Sequence, residues 1–280
     1  MAQPSVRPLA APDPEGCRSV EVRSWQRGEG TLSERYVDQV AEEYPVALVY
    51  NGISHVVMMA SPCNLEDFAL GFSLSEGILA SPAELYSVEL EPHDEGYEVQ
   101  LTIAAGRMAA LKERRRNLAG RTGCGLCGTE SLQQAIRPIS PVSAQPLPSD
   151  QAVQRALAQL ADWQPLQALT GACHGAAWCD LAGEIRLVRE DVGRHNALDK
   201  LVGALYGQGI DPLQGFALVS SRASYEMVQK SAAVGIATLV AVSAPTALAI
   251  RQAEQAGVNL IGFARQGRHM IYNQALGSNA

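Results

Sequence analysis

Cys124 and Cys127 lie in the run Arg121-Thr-Gly-Cys-Gly-Leu-Cys-Gly128, and their chemistry is the first thing the chain offers. Glycines at 123, 125 and 128 remove side-chain bulk from around both sulfurs and permit backbone angles that other residues avoid. Arg114, Arg115, Arg116 and Arg121 bring cations into the neighbourhood, which favours thiolate over thiol. A structural cysteine pair rarely needs that setting; a reacting sulfur does.

Four chemistries compete for the pair. Cys-x-x-Cys is half of a tetrahedral zinc site, but no second Cys-x-x-Cys is present, so the other half has to come from Cys173, His174 or Cys179. A zinc deaminase needs His-x-Glu upstream of Pro-Cys-x-x-Cys. His93-Asp94-Glu95 imitates the first part, yet Gly123 replaces the proline and His93 reads as a hairpin turn. A thioredoxin-like dithiol places its cysteines at a helix start within βαβ units. Thr129 can cap a short helix here, but the βαβ pattern comes later in the chain. The fourth chemistry is sulfur carriage. A thiolate on a mobile glycine-rich loop attacks the sulfane sulfur of a donor persulfide, holds it as Cys–S–SH and passes it to an acceptor.

An acceptor site is legible in the second half. Four segments place hydroxyls, Arg or Gly where strands give way to helices or turns: 190–196, with Arg194 and His195; 220–224, with Arg222; 243–246; and 264–268, with Arg265, Gly267 and Arg268. In open α/β sheets, ligands bind outside the carboxyl ends of strands, where helix N-termini present N–H groups. Together the four segments suggest a phosphate- or nucleotide-bearing ligand. Neither Gly-x-Gly-x-x-Gly nor a P-loop occurs, which disfavours ordinary dinucleotide and NTPase readings. Singly, the same residues are helix caps: His195 reads first as a capping or core histidine, and Cys173 and Cys179 as small core hydrophobes.

The elements that must hold these residues divide the chain. Residues 1–18 read as a disordered tail and 19–117 as a β-rich subdomain. Within it Val46–Tyr50, Asn51-Gly52 and Ile53–Met59 form a hairpin around a type I′ turn. Asn64 reads as the N-cap of a helix running to about Leu79, with Glu66 and Asp67 in its first turn. A second hairpin pairs 86–91 with 97–103, and a helix covers 107–117. A mobile cysteine loop occupies 118–130, a proline-rich connector 131–150, an α/β domain 151–273, and a short tail 274–280. In that domain, helices at 151–161, 195–206, 225–234 and 246–256 are interleaved with strands at 175–179, 185–188, 216–220, 238–242 and 258–263. Single helices between strands announce βαβ units and a mainly parallel sheet.

Bulk numbers bound the rest. At 280 residues the chain holds one large domain or two modest ones. A net charge of −7 disfavours a broad nucleic-acid-binding face. No apolar run reaches membrane-spanning length, and the first residues lack a basic-then-apolar signal. Six cysteines without such a signal argue for reduced thiols in the cytoplasm. Of 22 cationic residues only Lys112, Lys200 and Lys230 are lysine. Genome composition alone can produce that bias, so Arg forks that grip phosphate have to be argued position by position.

The cysteine run resembles the cysteine loop of the FdhD family, the formate dehydrogenase accessory sulfurtransferases. Similar resemblance extends to segments 171–177, 189–200, 220–230 and 262–268, across roughly residues 20 to 272. It implies a cytidine-deaminase-like α/β fold without the deaminase zinc site, and a homodimer. It also implies sulfur taken from a cysteine desulfurase and passed to molybdenum bis-molybdopterin guanine dinucleotide, for formate dehydrogenase. On this resemblance Cys124 bears the persulfide, with Cys127 in an auxiliary role. Phe263, Ala264, Arg265, Gln266, Gly267 and Arg268 contact the cofactor. Arg194 and Arg222 join them as phosphate ligands on the anion-edge reading, and no permanently bound metal is expected.

Overall fold

The computed structural model describes residues 15–25, 32–119 and 139–275. Strands β1 (Cys17–Trp25) and β2 (Leu32–Ala41) form a two-stranded antiparallel ribbon. Strands β3 (Tyr44–Tyr50), β4 (Ile53–Ala60), β5 (Leu85–His93) and β6 (Gly96–Ile103) form a four-stranded sheet in the order β4-β3-β6-β5. The β3–β4 turn is Asn51-Gly52, both at positive φ (47° and 77°), as a type I′ turn requires. Asn51 also locks the sheet end: its Oδ1 accepts from the Ile103 N–H at 2.8 Å and its Nδ2 donates to the Ile103 carbonyl at 3.1 Å.

Helix α1 (Leu65–Ser75) leaves β4 and stops four residues short of the expected end, where Gly77 turns the chain at φ 64°. Asn64 stands at its N-terminus in the left-handed region (φ 54°) and makes no side-chain cap. Its backbone carbonyl accepts from the Phe68 N–H instead. Helix α2 (Ala105–Ala119) follows β6.

Residues 139–149 run extended into helix α3 (Asp150–Leu160), which Ser149 caps through its Oγ. In this stretch Gln145 is buried. Its Nε2 donates to the Leu213 and Gly215 carbonyls, and its carbonyl accepts from Asn259 Nδ2. The connector is thus pinned to Leu213, Gly215 and Asn259. A short helix α4 (Pro165–Thr170) precedes the second sheet.

That sheet holds β7 (His174–Asp180), β8 (Ile185–Asp191), β9 (Gly215–Val219), β10 (Thr238–Ala241), β11 (Asn259–Arg265) and β12 (Arg268–Asn273), in the order β12-β11-β10-β9-β7-β8. The α/β class stands, but the sheet is mixed rather than mainly parallel. Only β9, β10 and β11 pair in parallel; β7, β8 and β12 join antiparallel. β12 escapes a periodicity reading because it follows β11 after a two-residue turn and leaves exposed Met270 and Ile271 on the edge strand.

Helices α5 (Arg194–Gly207), α6 (Tyr225–Ala233) and α7 (Ala247–Ala256) link successive strands from β8 to β11. Their apolar residues share one core with Ala176, Trp178, Ala217, Val219, Leu239 and Leu260 of the sheet. Helix α3 covers the opposite face, against Ala177, Cys179, Phe216, Leu218, Val240 and Ile261. The larger core also takes in Val46, Leu48, Val99 and Leu101, so the four-stranded sheet packs on the helix layer through α1. The α1–α5 crossing is backbone on backbone. A Cβ on Gly71 would lie 1.7 Å from the Asp199 carbonyl oxygen, and one on Gly203 1.9 Å from that of Asp67. Among the described residues no helix is long and apolar enough to cross a membrane.

Candidate functional site

β8 runs antiparallel to β7, and β7 antiparallel to β9, so β8, β9, β10 and β11 all end at one edge. The four segments singled out in sequence therefore lie together. Backbone bonds knit them: the Ser243 N–H donates to the Ser221 carbonyl (3.3 Å), Thr246 N–H to Ala223 (3.0 Å) and Phe263 N–H to Ser243 (3.1 Å). Gly175 at the start of β7 joins in, its N–H donating to Ser220 Oγ at 2.9 Å.

At the start of α5 stand Arg194 and His195. Arg194 is half-buried, and its Nε has no hydrogen-bond partner among the described residues. His195 bridges two helix starts: its Nε2 lies 2.9 Å from Glu226 Oε2 and 3.4 Å from Ser224 Oγ, both at the head of α6. Burial pushes the His195 pKa down, partly offset by Glu226. Burial also lowers His174, with Arg194 adding to the effect. His195 thus joins the heads of α5 and α6 through side-chain contacts at the edge, rather than by capping a helix.

Beneath the α5 turn lies a charge pair that sequence reading did not isolate. Asp191 and Lys200 meet at 2.7 Å, both with no exposed side-chain surface. Asp191 also accepts from the Ser61 N–H (2.9 Å), the Gly193 N–H (2.7 Å) and Asn196 Nδ2 (3.1 Å), which holds the Gly193-Arg194 turn in place. A second buried pair joins Asp199 to Lys230 at 2.9 Å, with Ser75 and Glu76 at the end of α1 as further partners. Burial disfavours the Lys230 charge, but Asp199 and Glu76 outweigh it and hold its pKa above the usual lysine value. Glu190 accepts from the Leu166 and Gln167 N–H groups and so caps α4. Much of the charge in segments 189–200 and 220–230 is therefore architectural. Arg189, for instance, pairs with Asp67 at 2.7 Å. The one sequence signal for this was the rarity of lysine: two of the three are buried.

The end of β11 carries the remaining edge residues. Ala264 is buried, Phe263 half-buried, and Arg265, Gln266, Gly267 and Arg268 form the exposed tip of the β11–β12 hairpin. Gly267 takes φ 79° in that turn. The tip leans on α3, where Gln154 Oε1 accepts from the Gly267 N–H at 2.6 Å and His269 Nε2 lies 3.0 Å from Asp150 Oδ1. Arg222 is exposed between β9 and α6. The edge thus brings Arg194, Arg222 and Phe263 into one network of loops, while Arg265 and Arg268 project beyond it.

Cys124, Cys127 and Arg121 lie outside the described residues, as do the side chains of Arg114 to Arg116. On its C-terminal side the segment is anchored by Val142, whose N–H donates to the Ala256 carbonyl at the end of α7. That is the opposite end of β11 from Phe263 to Arg268. The other four cysteines, Cys17, Cys63, Cys173 and Cys179, are all buried. Burial pushes the Cys63 thiol up to about 11 and raises Cys173 and Cys179 as well. The core reading of Cys173 and Cys179 holds. His93 ends β5 opposite Gly96, in the hairpin expected of it and not at a helix start. Among the described residues it belongs to the one trio, Glu91, His93 and Glu98, whose ligand atoms lie within 4.8 Å of one another, on an exposed hairpin.

The model of the FdhD/NarQ family matches residues 41–276. The chain belongs to that family. Among relatives of this FdhD/NarQ chain, a sulfur carrier protein FdhD of Cupriavidus necator is 56% identical over 274 residues, covering 97% of this chain and 94% of its own length. Its counterpart in Bordetella petrii is 57% identical over 237 residues, covering 84% and 85%. A solved structure described as a formate dehydrogenase accessory protein of Desulfotalea psychrophila superposes with a TM-score of 0.71 at 22% identity, covering 91% of this chain and 96% of its own. At that identity the likeness speaks for the FdhD/NarQ fold alone.

Proposed function

We propose that this chain carries sulfur on Cys124 and delivers it to a nucleotide-bearing acceptor at the sheet edge. The observation that carries the reading is a division of thiols. Four of the six cysteines are sealed in the core, which leaves Cys124 and Cys127, in their arginine- and glycine-rich run, to react. The relatives' name, sulfur carrier protein, supports the same reading.

In the loading step the Cys124 thiolate attacks the outer sulfur of a cysteine desulfurase persulfide. A new S–S bond forms at Cys124, the desulfurase cysteine leaves as thiolate, and no net oxidation occurs. In delivery, Cys127 has a balanced route. Its thiolate attacks the Cys124 sulfur and closes a disulfide, and the outer sulfur departs as sulfide with the electron pair. The acceptor substrate is molybdenum bis-molybdopterin guanine dinucleotide, destined for formate dehydrogenase. Arg194, Arg222, Arg265 and Arg268 suit its phosphates, because guanidinium forks match phosphate oxygens bidentately. The protein acts as a cytoplasmic homodimer.

The experiment is direct. The protein is incubated with an active cysteine desulfurase and cysteine, and the peptide containing Cys124 is weighed without reductant. A species one sulfur heavier is expected. Its absence overturns the carrier reading, and full activation of formate dehydrogenase by Cys124→Ala would favour a cofactor-binding chaperone that moves no sulfur.

A further inference from the structure

His93-Asp94-Glu95 imitates the histidine half of a deaminase zinc motif in sequence, but the fold gives His93 different company. β5 and β6 join through the turn Asp94-Glu95, with His93 opposite Gly96, Pro92 opposite Tyr97 and Glu91 opposite Glu98. Side chains alternate along a strand, so Glu91 and His93 share a face, and Glu98 stands across from Glu91 on the same one. One carboxylate oxygen from each glutamate and one ring nitrogen of His93 all lie within 4.8 Å of one another.

Two further observations mark this as a place for a cation. The first is charge. Like charges directly opposite on a strand pair repel. Glu91 and Glu98 nonetheless face each other, and among the described residues no lysine or arginine pairs with either. Glu98 has a neutral partner in Gln100, whose Nε2 donates to its Oε2 at 3.0 Å. The second is rigidity. A Cβ on Gly96 would lie 2.2 Å from the Pro45 carbonyl oxygen, so the hairpin end is seated directly on the backbone of β3. Tyr97 packs edge-on against Tyr44, ring centroids 5.7 Å apart and planes at 89°. The backbone carrying the three ligands is therefore held by a packed strand pair, which positions a site more closely than a free loop does.

The donor set selects the ion. Calcium takes about six to eight oxygens and magnesium keeps several of its waters, whereas imidazole beside carboxylates suits zinc and its transition-metal neighbours. Zinc bonds such nitrogens and oxygens at about 2.0–2.2 Å, so side-chain rotations bring the three atoms onto one ion. Glu91 and His93 are exposed and Glu98 half-buried, which leaves the remaining position to water and lets the ion exchange with solvent.

We infer that Glu91, His93 and Glu98 form a binding site for a divalent transition-metal ion of the zinc class, which clips the ends of β5 and β6 together. The ion removes the repulsion between the two glutamates, and His93 supplies the nitrogen that separates zinc from calcium. The site uses neither Cys124 nor Cys127 and is independent of sulfur carriage.

The test uses zinc chloride as the probe, by calorimetry, on the untagged full chain carrying Cys124→Ser and Cys127→Ser, which removes the two thiols outside the core. One site per chain is expected. Loss of an outer-shell partner already costs about 10–100-fold in metal affinity, so His93→Gln, Glu91→Gln and Glu98→Gln should each weaken binding by about tenfold or more. Glu95→Gln removes a neighbouring turn charge but no ligand and should change the affinity far less, and millimolar calcium should not compete. Zinc should raise the melting temperature of the parent and not that of His93→Gln, because an ion bound only to the folded state stabilises it. Melting temperatures without zinc verify that each variant folds. Zinc binding that survives His93→Gln, falls equally in Glu95→Gln or yields to calcium reduces the trio to a diffuse acidic surface and overturns the site. A parent that binds no zinc overturns it as well.

Discussion

Asp191 and Lys200 stand 2.7 Å apart with neither side chain touching solvent, and between them the chain makes the turn that presents Arg194. The carboxylate is held by three further N–H donors, and the ammonium also donates to the Ser61 carbonyl at 2.9 Å. The pair therefore ties the four-stranded sheet's exit to the head of α5. Removing one partner of such a pair strands a buried charge, which costs about 3–5 kcal/mol. Lys200→Met should lose stability on that scale in chemical denaturation, whereas exposed Lys112→Met should change it by less than about 0.5 kcal/mol. Replacing both partners by apolar residues should not restore the wild type, because the Ser61 and Gly193 N–H groups lose their acceptor.

Gly71 and Gly203 set the distance between α1 and α5. Alanine at either puts a Cβ within 2 Å of a backbone carbonyl oxygen, and backbone cannot rotate away as a side chain can. Gly71→Ala and Gly203→Ala should each cost about 1–3 kcal/mol or more, read as a fall in melting temperature. Gly106→Ala is the control. It lies in α2 with nothing within 4 Å, and should be neutral or stabilising by up to about 1 kcal/mol.

Thiol labelling should separate the cysteines by pH. A thiol whose pKa is raised stays protonated and unreactive until pH approaches that value. With Cys63 pushed up to about 11, and Cys173 and Cys179 also raised by burial, the folded protein at pH 7.5 should label at Cys124 and Cys127 only. All six cysteines should label in denaturant. Native labelling of a Cys124→Ser/Cys127→Ser variant at the rate of the wild type would contradict the assignment.

The arginines differ in kind. Arg194 is half-buried at a helix start, while Arg222, Arg265 and Arg268 are exposed. Arg268→Ala and Arg265→Ala should each weaken guanosine diphosphate binding about tenfold to a hundredfold, without moving the melting temperature, since a charged hydrogen bond contributes about 1.5–3 kcal/mol. Arg194→Ala should do both. Unchanged affinity in Arg268→Ala, measured by calorimetry at fixed salt, would count against the hairpin tip as a phosphate contact.

Much of this molecule is legible in its amino-acid sequence. Apolar periodicity places the four longer helices of the second half to within about two residues, because it acts locally; the short helix α4 (Pro165–Thr170) escapes it. Asn51-Gly52 specifies its hairpin for the same reason. The gathering of the four loop segments at one edge is legible because right-handed β-α-β connections bring successive strand ends to one side. What escapes is non-local. The β1–β2 ribbon and β12 are strands only through their partners, and Asn64 caps through backbone geometry rather than its side chain.

By itself, the sequence determined the chemistry on offer: a pair of cysteines set among glycines and arginines, and a set of strand-end loops rich in hydroxyls, glycine and arginine. Residue type and spacing suffice for that, since nucleophilicity and donor count belong to the residues themselves. Tertiary structure alone decided which charges are architectural, and that Phe263 turns its ring toward Tyr272. Burial and register arise from pairing between distant segments. Asp191 and Lys200 lose contact with solvent only because Ser61, distant in sequence, bonds to both, and a one-residue bulge decides the face on which an aromatic ring lands.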